Sequence, residues 1–173
     1  MKNSTGLLLI KDSCAIRNDN YITTFQHMGP SYLVRFELYP TQFEVGWHNI
    51  LHFSIGDNSG QMGDRMPAVW SDYWYNRLNL CSGVNDDFQY GHCKDDSETV
   101  IPLKEWSFVE FAQQKFGSDY VYTLNLNGRE IHRIVNKKAR HFKNMHLYMA
   151  DPWGPPQKGY IRNLYVEGYE GYE

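Results

Sequence analysis

The sequence predicts an all-β protein built as two antiparallel sheets packed face to face. Alanine occurs only five times in 173 residues, whereas Tyr, Phe and Trp together occur 27 times. Alanine favours helices and aromatic residues favour strands, so this composition favours sheets. The 14 glycines and 7 prolines are spread along the chain, as expected for many short strands separated by turns. We therefore expect one β-sandwich domain over residues 1–173, with a tail at 168–173 that frays.

The predicted strands of the first half follow from alternation and from turn residues. Residues 32–39 place Val34, Phe36 and Leu38 on one face, the pattern of a half-buried strand. Gly29-Pro30 precedes this run and would end the strand there. Further strands are predicted at 47–55, 67–70 and 76–81. The polar, Asp-rich stretch 83–98 is predicted to be a loop.

The second half contains the clearest hairpin signal. Residues 120–126 alternate and are followed by Asn127-Gly128, a pair suited to a type I′ turn because both central residues need positive φ. The returning strand is predicted at 129–135. A strand at 106–113 is apolar on both faces, as a central strand would be. Two more are predicted at 145–149 and 160–166, which gives nine strands in all and favours a sandwich over a small barrel.

Several of these segments resemble the laminin G-like, concanavalin A-like jelly roll. The resemblance rests on short motifs: 106–110 (WSFVE), 122–128 (YTLNLNG) and 159–164 (GYIRNL), with 47–53 and 63–70 beside them. It implies a two-sheet antiparallel jelly-roll sandwich in an extracellular or secreted domain of a larger protein. Members of this superfamily bind glycans or protein ligands, often with calcium near a loop rim, and a minority are glycosidases.

Charge and hydropathy exclude two classes of partner. The net charge is −3 and the isoelectric point is about 6.1, so no basic field attracts the phosphates of nucleic acids. No stretch approaches the roughly 18 consecutive apolar residues of a spanning helix. We therefore expect neither nucleic-acid binding nor direct membrane insertion.

The aromatic segment 70–77 is the candidate ligand site. Sugars pack their C–H faces on aromatic rings while nearby polar side chains bind the hydroxyls. This interpretation competes with burial of Trp70 and Trp74 in the core, which would leave the tyrosines at its margin. The predicted ligand-binding residues are Asp72, Tyr73, Trp74, Tyr75, Asn76 and Arg77.

Calcium is the one cofactor that the loops favour. Calcium takes oxygen ligands from carboxylates and carbonyls, and the predicted loops contain Asp57, Asn58, Asp64, Asp86, Asp87, Asp95 and Asp96. Asp57 and Asp64 are the first candidates for metal ligands. The alternative is that these residues form turns and solvated surface, since aspartate and asparagine favour turns. The seven histidines show no recognisable ligand spacing, so zinc is not expected.

The three cysteines leave one pairing open. Cys81 and Cys93 enclose a loop that a disulfide could close, and Cys14 would then stay unpaired. A secreted domain with one free thiol and an intracellular protein with three thiols both fit this odd count, and the resemblance favours the first.

Three functions compete. The leading hypothesis is a non-enzymatic recognition module that binds a glycan or glycoprotein through loops at one rim. The second is an adhesion or oligomerisation domain that makes protein contacts, including self-association. The third, ranked last, is a jelly-roll glycosidase. Such enzymes need positioned carboxylates, and the i,i+2 pair Asp96 and Glu98 lies in a stretch predicted to be solvated loop.

Overall fold

The protein is all-β, as the composition predicts. The computed structural model describes residues 6–72, 74, 76–85 and 92–172. It contains twelve strands: β1 Leu7–Ile10, β2 Cys14–Ala15, β3 Tyr21–Gln42, β4 Trp47–Ser54, β5 Ala68–Asp72, β6 Arg77–Ser82, β7 His92–Lys94, β8 Ser107–Phe116, β9 Asp119–Leu126, β10 Arg129–Asn136, β11 Phe142–Tyr148 and β12 Lys158–Tyr172. The described residues include no helix long and apolar enough to cross a membrane.

The strands form one antiparallel hydrogen-bonded array that folds back on itself as a sandwich. Its order is β10-β9-β8-β3-β11-β4-β5-β6-β7. Outside this path, β12 pairs with β3, and β1 and β2 pair with β12. The first half of β3 pairs with β11 and its second half pairs with β8, so β3 belongs to both layers. The two-sheet jelly-roll class is therefore confirmed.

A bend in the β3–β12 ribbon lets the two strands pass from one layer to the other. The bend lies at Gly29-Pro30 and Gly168, where the β3–β12 register shifts between Glu167 and Tyr169. Gly168 has φ +86°, and a Cβ there would lie 2.2 Å from the Ser31 carbonyl oxygen. One prediction is wrong here, because Gly29-Pro30 bends the strand without ending it. Residues 168–172, for which a tail was expected, continue β12.

The core lies between the two layers and follows the predicted alternation. Val34, Phe36 and Leu38 are fully buried in it. Polar contacts also cross it: the hydroxyls of Tyr32 on β3 and Ser82 on β6 lie 2.8 Å apart. The Tyr32 pKa is raised by burial, so this phenol is neutral and makes a neutral hydrogen bond in the core.

The hairpin at Asn127-Gly128 is confirmed, with φ +52° and +79°. Two other stretches differ from their predictions. The predicted loop 83–98 contains β7, because pairing with β6 orders residues that show no alternation of their own. A short 3-10 helix at Ser97–Thr99 begins at its end. Strict alternation over the predicted strand 47–55 would put Ile50 on the same face as His48 and His52. In β4, a register shift between Asn49 and Leu51 instead turns Ile50 into the core.

Candidate functional site

The outer face of β4, β5 and β6 is covered rather than solvated. Trp70 on β5 stands opposite Asn79 on β6 and Asn49 on β4. Trp70 is only 9% exposed, and together with Ala68 and Cys81 it forms a small apolar cluster separate from the main core. This sheet therefore buries side chains on both faces.

An open groove of about 560 Å³ lies on this outer face. Its lining combines two tryptophans, hydrogen-bonding side chains and one disulfide sulfur: Trp47, Asn58, Arg65, Trp70, Asn79, Cys93 and Asp95. Trp70 is nearly buried, whereas Trp47 at the start of β4 is 50% exposed. The groove thus has one protected ring and one ring that a ligand can cover.

Arg65 is held in a defined position against the deeper ring. Its guanidinium carbon lies 4.7 Å from the Trp70 ring centroid, within the range of a cation–π contact. Its Nε donates to Asn58 Oδ1 at 2.9 Å. The segment between β4 and β5 therefore brings a planar cation and an amide to the groove.

A buried histidine fixes that segment from behind. His52 Nε2 donates to the Asp64 carbonyl oxygen at 2.5 Å, and His52 Nδ1 lies 2.6 Å from Asp151 Oδ2. A carbonyl can only accept, so Nε2 carries a proton. The other Asp151 oxygen accepts from the backbone N–H groups of Trp153 and Gly154. His52 thus joins β4 to the two loops that follow β4 and β11, and its ring packs 5.2 Å from that of Trp70.

The two predicted calcium ligands turn toward the same serine. Asp57 Oδ1 accepts from the Ser59 backbone N–H at 2.8 Å, and Asp64 Oδ2 accepts from the Ser59 hydroxyl at 3.0 Å and from the Gln61 N–H at 2.8 Å. Hydrogen bonds to Ser59 lower the Asp57 pKa, so this carboxyl is ionised. No group of three or more His, Cys, Asp or Glu side chains suited to a metal occurs among the described residues. Calcium at Asp57 and Asp64 stays a prediction.

The predicted ligand segment 72–77 lies at the β5–β6 turn, and its described residues are not among the groove's lining. Asp72 Oδ2 accepts from Arg77 Nε at 3.2 Å, and Asp72 Oδ1 accepts from the Trp74 N–H at 3.0 Å. Asn76 supplies the turn, with φ +48°. Trp74 is 69% exposed, so its burial in the core, the competing interpretation, does not occur.

The remaining predicted ligand residues, Tyr73 and Tyr75, lie outside the described residues, as do Asp86 and Asp87. Sequence reasoning did not assign Trp47, Arg65 or Asn79 to a site. Asn79 and Trp70 are cross-strand partners, but the sequence shows this only once the β5–β6 register is known.

The disulfide between Cys81 and Cys93 is confirmed, and Cys14 has a free thiol. The bond joins β6 to β7 and brings Cys93 to the groove. The disulfide therefore holds β7 in place. Asp95, another groove residue, directly follows β7.

The one candidate pair of catalytic carboxylates has a structural partner. Lys94 Nζ donates to Asp96 Oδ2 at 2.5 Å and to Glu98 Oε2 at 2.8 Å. This lysine lowers the Asp96 pKa through a hydrogen bond, so the Asp96 carboxyl is ionised and forms an ion pair.

Comparison with solved structures places the fold among β-sandwich domains. The fold resembles domain 4 of a GH43 extracellular arabinanase from Geobacillus stearothermophilus in complex with arabinotriose (TM-score 0.54, 16% identity, 98% of this chain and 86% of that one). It also resembles the CBM40 of the Ruminococcus gnavus IT-sialidase bound to α2,3-sialyllactose (TM-score 0.57, 12% identity, 90% and 89%). A third similar structure is the heptameric SAP-like pentraxin of Limulus polyphemus (TM-score 0.53, 14% identity, 94% and 75%). No family model and no curated protein matches the sequence.

Proposed function

We propose that this chain is a non-catalytic, extracellular recognition module that binds a glycan, free or on a glycoprotein, in the groove beside Trp47 and Trp70. One observation carries the proposal: two indole rings, a guanidinium, two amides and a carboxylate line a single open groove. Its volume of about 560 Å³ lies within the usual range for small-ligand sites. Pyranose C–H groups pack on aromatic faces while amides, guanidinium and carboxylate bind hydroxyls.

Two further observations support the proposal. Two similar structures are complexes with arabinotriose and α2,3-sialyllactose, so sandwiches of this shape bind sugars in other proteins. A disulfide beside the groove suits an oxidising, extracellular compartment, where such bonds persist.

The test uses a glycan array followed by titration calorimetry with the best glycan, each with calcium and with EDTA. Trp47→Ala should weaken binding roughly tenfold to hundredfold, the effect of losing about 1.5–3 kcal/mol of aromatic burial. Trp74→Ala is the matched control, because Trp74 is also an exposed tryptophan, at 69% against 50% for Trp47, but is not among the groove's lining residues. Retention of no glycan would refute the proposal. A loss with Trp74→Ala alone would instead move the site to the predicted segment 72–77.

We extend the proposal to calcium at Asp57 and Asp64, which are the sequence neighbours of the groove residues Asn58 and Arg65. A cation between these carboxylates would stabilise that segment and strengthen glycan binding. Asp57→Asn should then remove the difference between the calcium and EDTA arms, while Asp12→Asn, at an exposed position outside the β4–β5 segment, should leave it intact. If calcium has the same effect on both variants, it does not bind at Asp57.

A second candidate function is self-association through exposed aromatic surface. The observation that favours it is Trp74, which is 69% exposed on a turn, and one similar structure is a heptamer. Light scattering after size-exclusion chromatography should then show a mass that rises with concentration and that Trp74→Ala returns to the monomer value. A monomer at every concentration would exclude this alternative.

A further inference from the structure

Two histidines from opposite ends of the strand order meet at one side of the sandwich. β7 is hydrogen-bonded to β6 and β10 to β9, at the two ends of the array. The folded-over layers bring His92 on β7 to His132 on β10, with their Nε2 atoms 2.6 Å apart. Neither residue takes part in the groove.

The ring geometry points the two nitrogens at each other. The ring centroids are 4.8 Å apart and the ring planes differ by only 24°. That centroid distance is the 2.6 Å gap between the nitrogens plus about one ring radius on each side. The imidazoles therefore meet edge to edge, with both Nε2 atoms directed into the same small space.

We propose that His92 and His132 together bind one divalent transition-metal ion of the zinc, nickel or copper class, which links β7 to β10. Imidazole nitrogen is a preferred ligand of these ions, at Zn–N distances of about 2.0–2.1 Å. Tetrahedral geometry would place the two nitrogens about 3.3 Å apart, so a small tilt of each ring admits the ion. Water or a ligand from solution fills the other positions, since the described residues contain no cluster of three metal-ligating side chains.

Strand pairing and the neighbouring disulfide hold the two histidines in place. His92 stands next to Cys93, whose disulfide fixes β7 against β6. His132 lies on β10, which pairs with β9 along its length, so both histidines stand on paired strands.

Charged neighbours act on the pair without adding ligands. Lys94 opposes the ion, and Asp96 and Glu98 favour it. Lys94 is held by both carboxylates, and Arg129 also pairs with Glu98, so two cations offset the two carboxylates. Tyr122 packs 6.4 Å from His132, and burial raises its pKa well above the ordinary value. It therefore remains a neutral phenol near the site.

The experiment measures binding and stability of the whole chain with Zn²⁺ and, separately, Ni²⁺. Calorimetry should show one ion per chain, and Zn²⁺ at a hundred times its Kd should raise the folding equilibrium constant about a hundredfold. The midpoint of thermal unfolding should then rise by roughly 5–10 °C. His132→Asn should abolish both effects, and His27→Asn, at an exposed histidine on β3, should abolish neither. Binding should weaken as the pH falls below about 6, because protons compete for the imidazoles.

The wild-type protein supplies a measurement that does not depend on folding of the variants. In ¹⁵N-edited spectra of the histidine rings, Zn²⁺ should shift the Nε2 signals of two rings together and leave the other five unchanged. Absence of binding at 1:1 stoichiometry, shifts at other histidines, or equal binding by His132→Asn would each overturn the proposal.

Discussion

We expect replacement of Asp151 by alanine to destabilise the protein strongly, and replacement by asparagine to be tolerated. The Asp151 carboxylate lies 2.6 Å from His52 Nδ1 and accepts the N–H groups of Trp153 and Gly154 at 2.9 and 3.1 Å. Both His52 and Asp151 are almost completely buried. Alanine removes all three acceptor contacts and leaves the imidazole nitrogen without a partner.

The magnitude follows from what each variant leaves unpaired. Removing one partner of a buried charged pair costs about 3–5 kcal/mol, and we expect Asp151→Ala to lie in that range. An asparagine oxygen can still accept the two backbone N–H groups, and its Nδ2 can donate to His52 Nδ1. His52 can still donate from Nε2 to the Asp64 carbonyl. Each group keeps a partner, so Asp151→Asn should cost about 1 kcal/mol.

The assay is urea unfolding at pH 7, supported by thermal unfolding followed by circular dichroism. For a chain of this size, 3–5 kcal/mol corresponds to a fall of roughly 6–20 °C in the unfolding midpoint. Glu130→Gln is the control: it breaks the exposed ion pair with Arg133 and should change nothing measurable. If the two Asp151 variants lose the same stability, the carboxylate charge itself is essential, and the hydrogen-bond reasoning is refuted.

Three further predictions concern the bend, the disulfide and acid. Gly168→Ala should cost about 1–3 kcal/mol or more, since its Cβ would meet the Ser31 carbonyl; an unchanged urea midpoint would contradict the tight bend. Joint replacement of Cys81 and Cys93 by alanine should cost about 3 kcal/mol, because a constraint on a short loop of the unfolded chain is lost; the urea midpoint measures this too. Burial lowers the His132 pKa, so in metal-free buffer the unfolded chain takes up the proton first as the pH falls below about 6.5, and stability decreases there. His132→Asn should flatten this profile of midpoint against pH, and an identical slope would show that other groups cause it.

Much of the fold could be predicted because most strands have one face toward the core. Val34, Phe36 and Leu38 alternate with polar residues and are all buried, and the Asn127-Gly128 turn encodes its hairpin locally. The structure departs from the sequence pattern where pairing with a distant strand decides it. β12 orders residues 168–172 by pairing with the first half of β3, a partner more than a hundred residues away.

The groove could not be predicted for a related reason. β4 and β5 are buried on both faces, since the segments after β4 and β11 cover their outer side. Alternation then carries no information about which residues face the main core. The sequence shows Trp70 as one member of an aromatic run, but the contact with Arg65 depends on how the intervening segment folds back. The contact between His92 and His132 could not be predicted either, because the two residues are forty positions apart in sequence.

Experiment can distinguish residues that support the groove from residues that contact a ligand, because the first are buried and the second are exposed. Trp70 is 9% exposed and packs on the small apolar cluster and against His52. Trp70→Ala would therefore reduce stability and binding together, and its loss of binding would not identify a contact. Trp47 is half exposed, so its truncation removes a surface that a ligand can cover while leaving the packing beneath intact. Weaker glycan binding by Trp47→Ala at unchanged stability, set against lost stability in Asp151→Ala, would distinguish a residue that contacts the ligand from one that positions the groove.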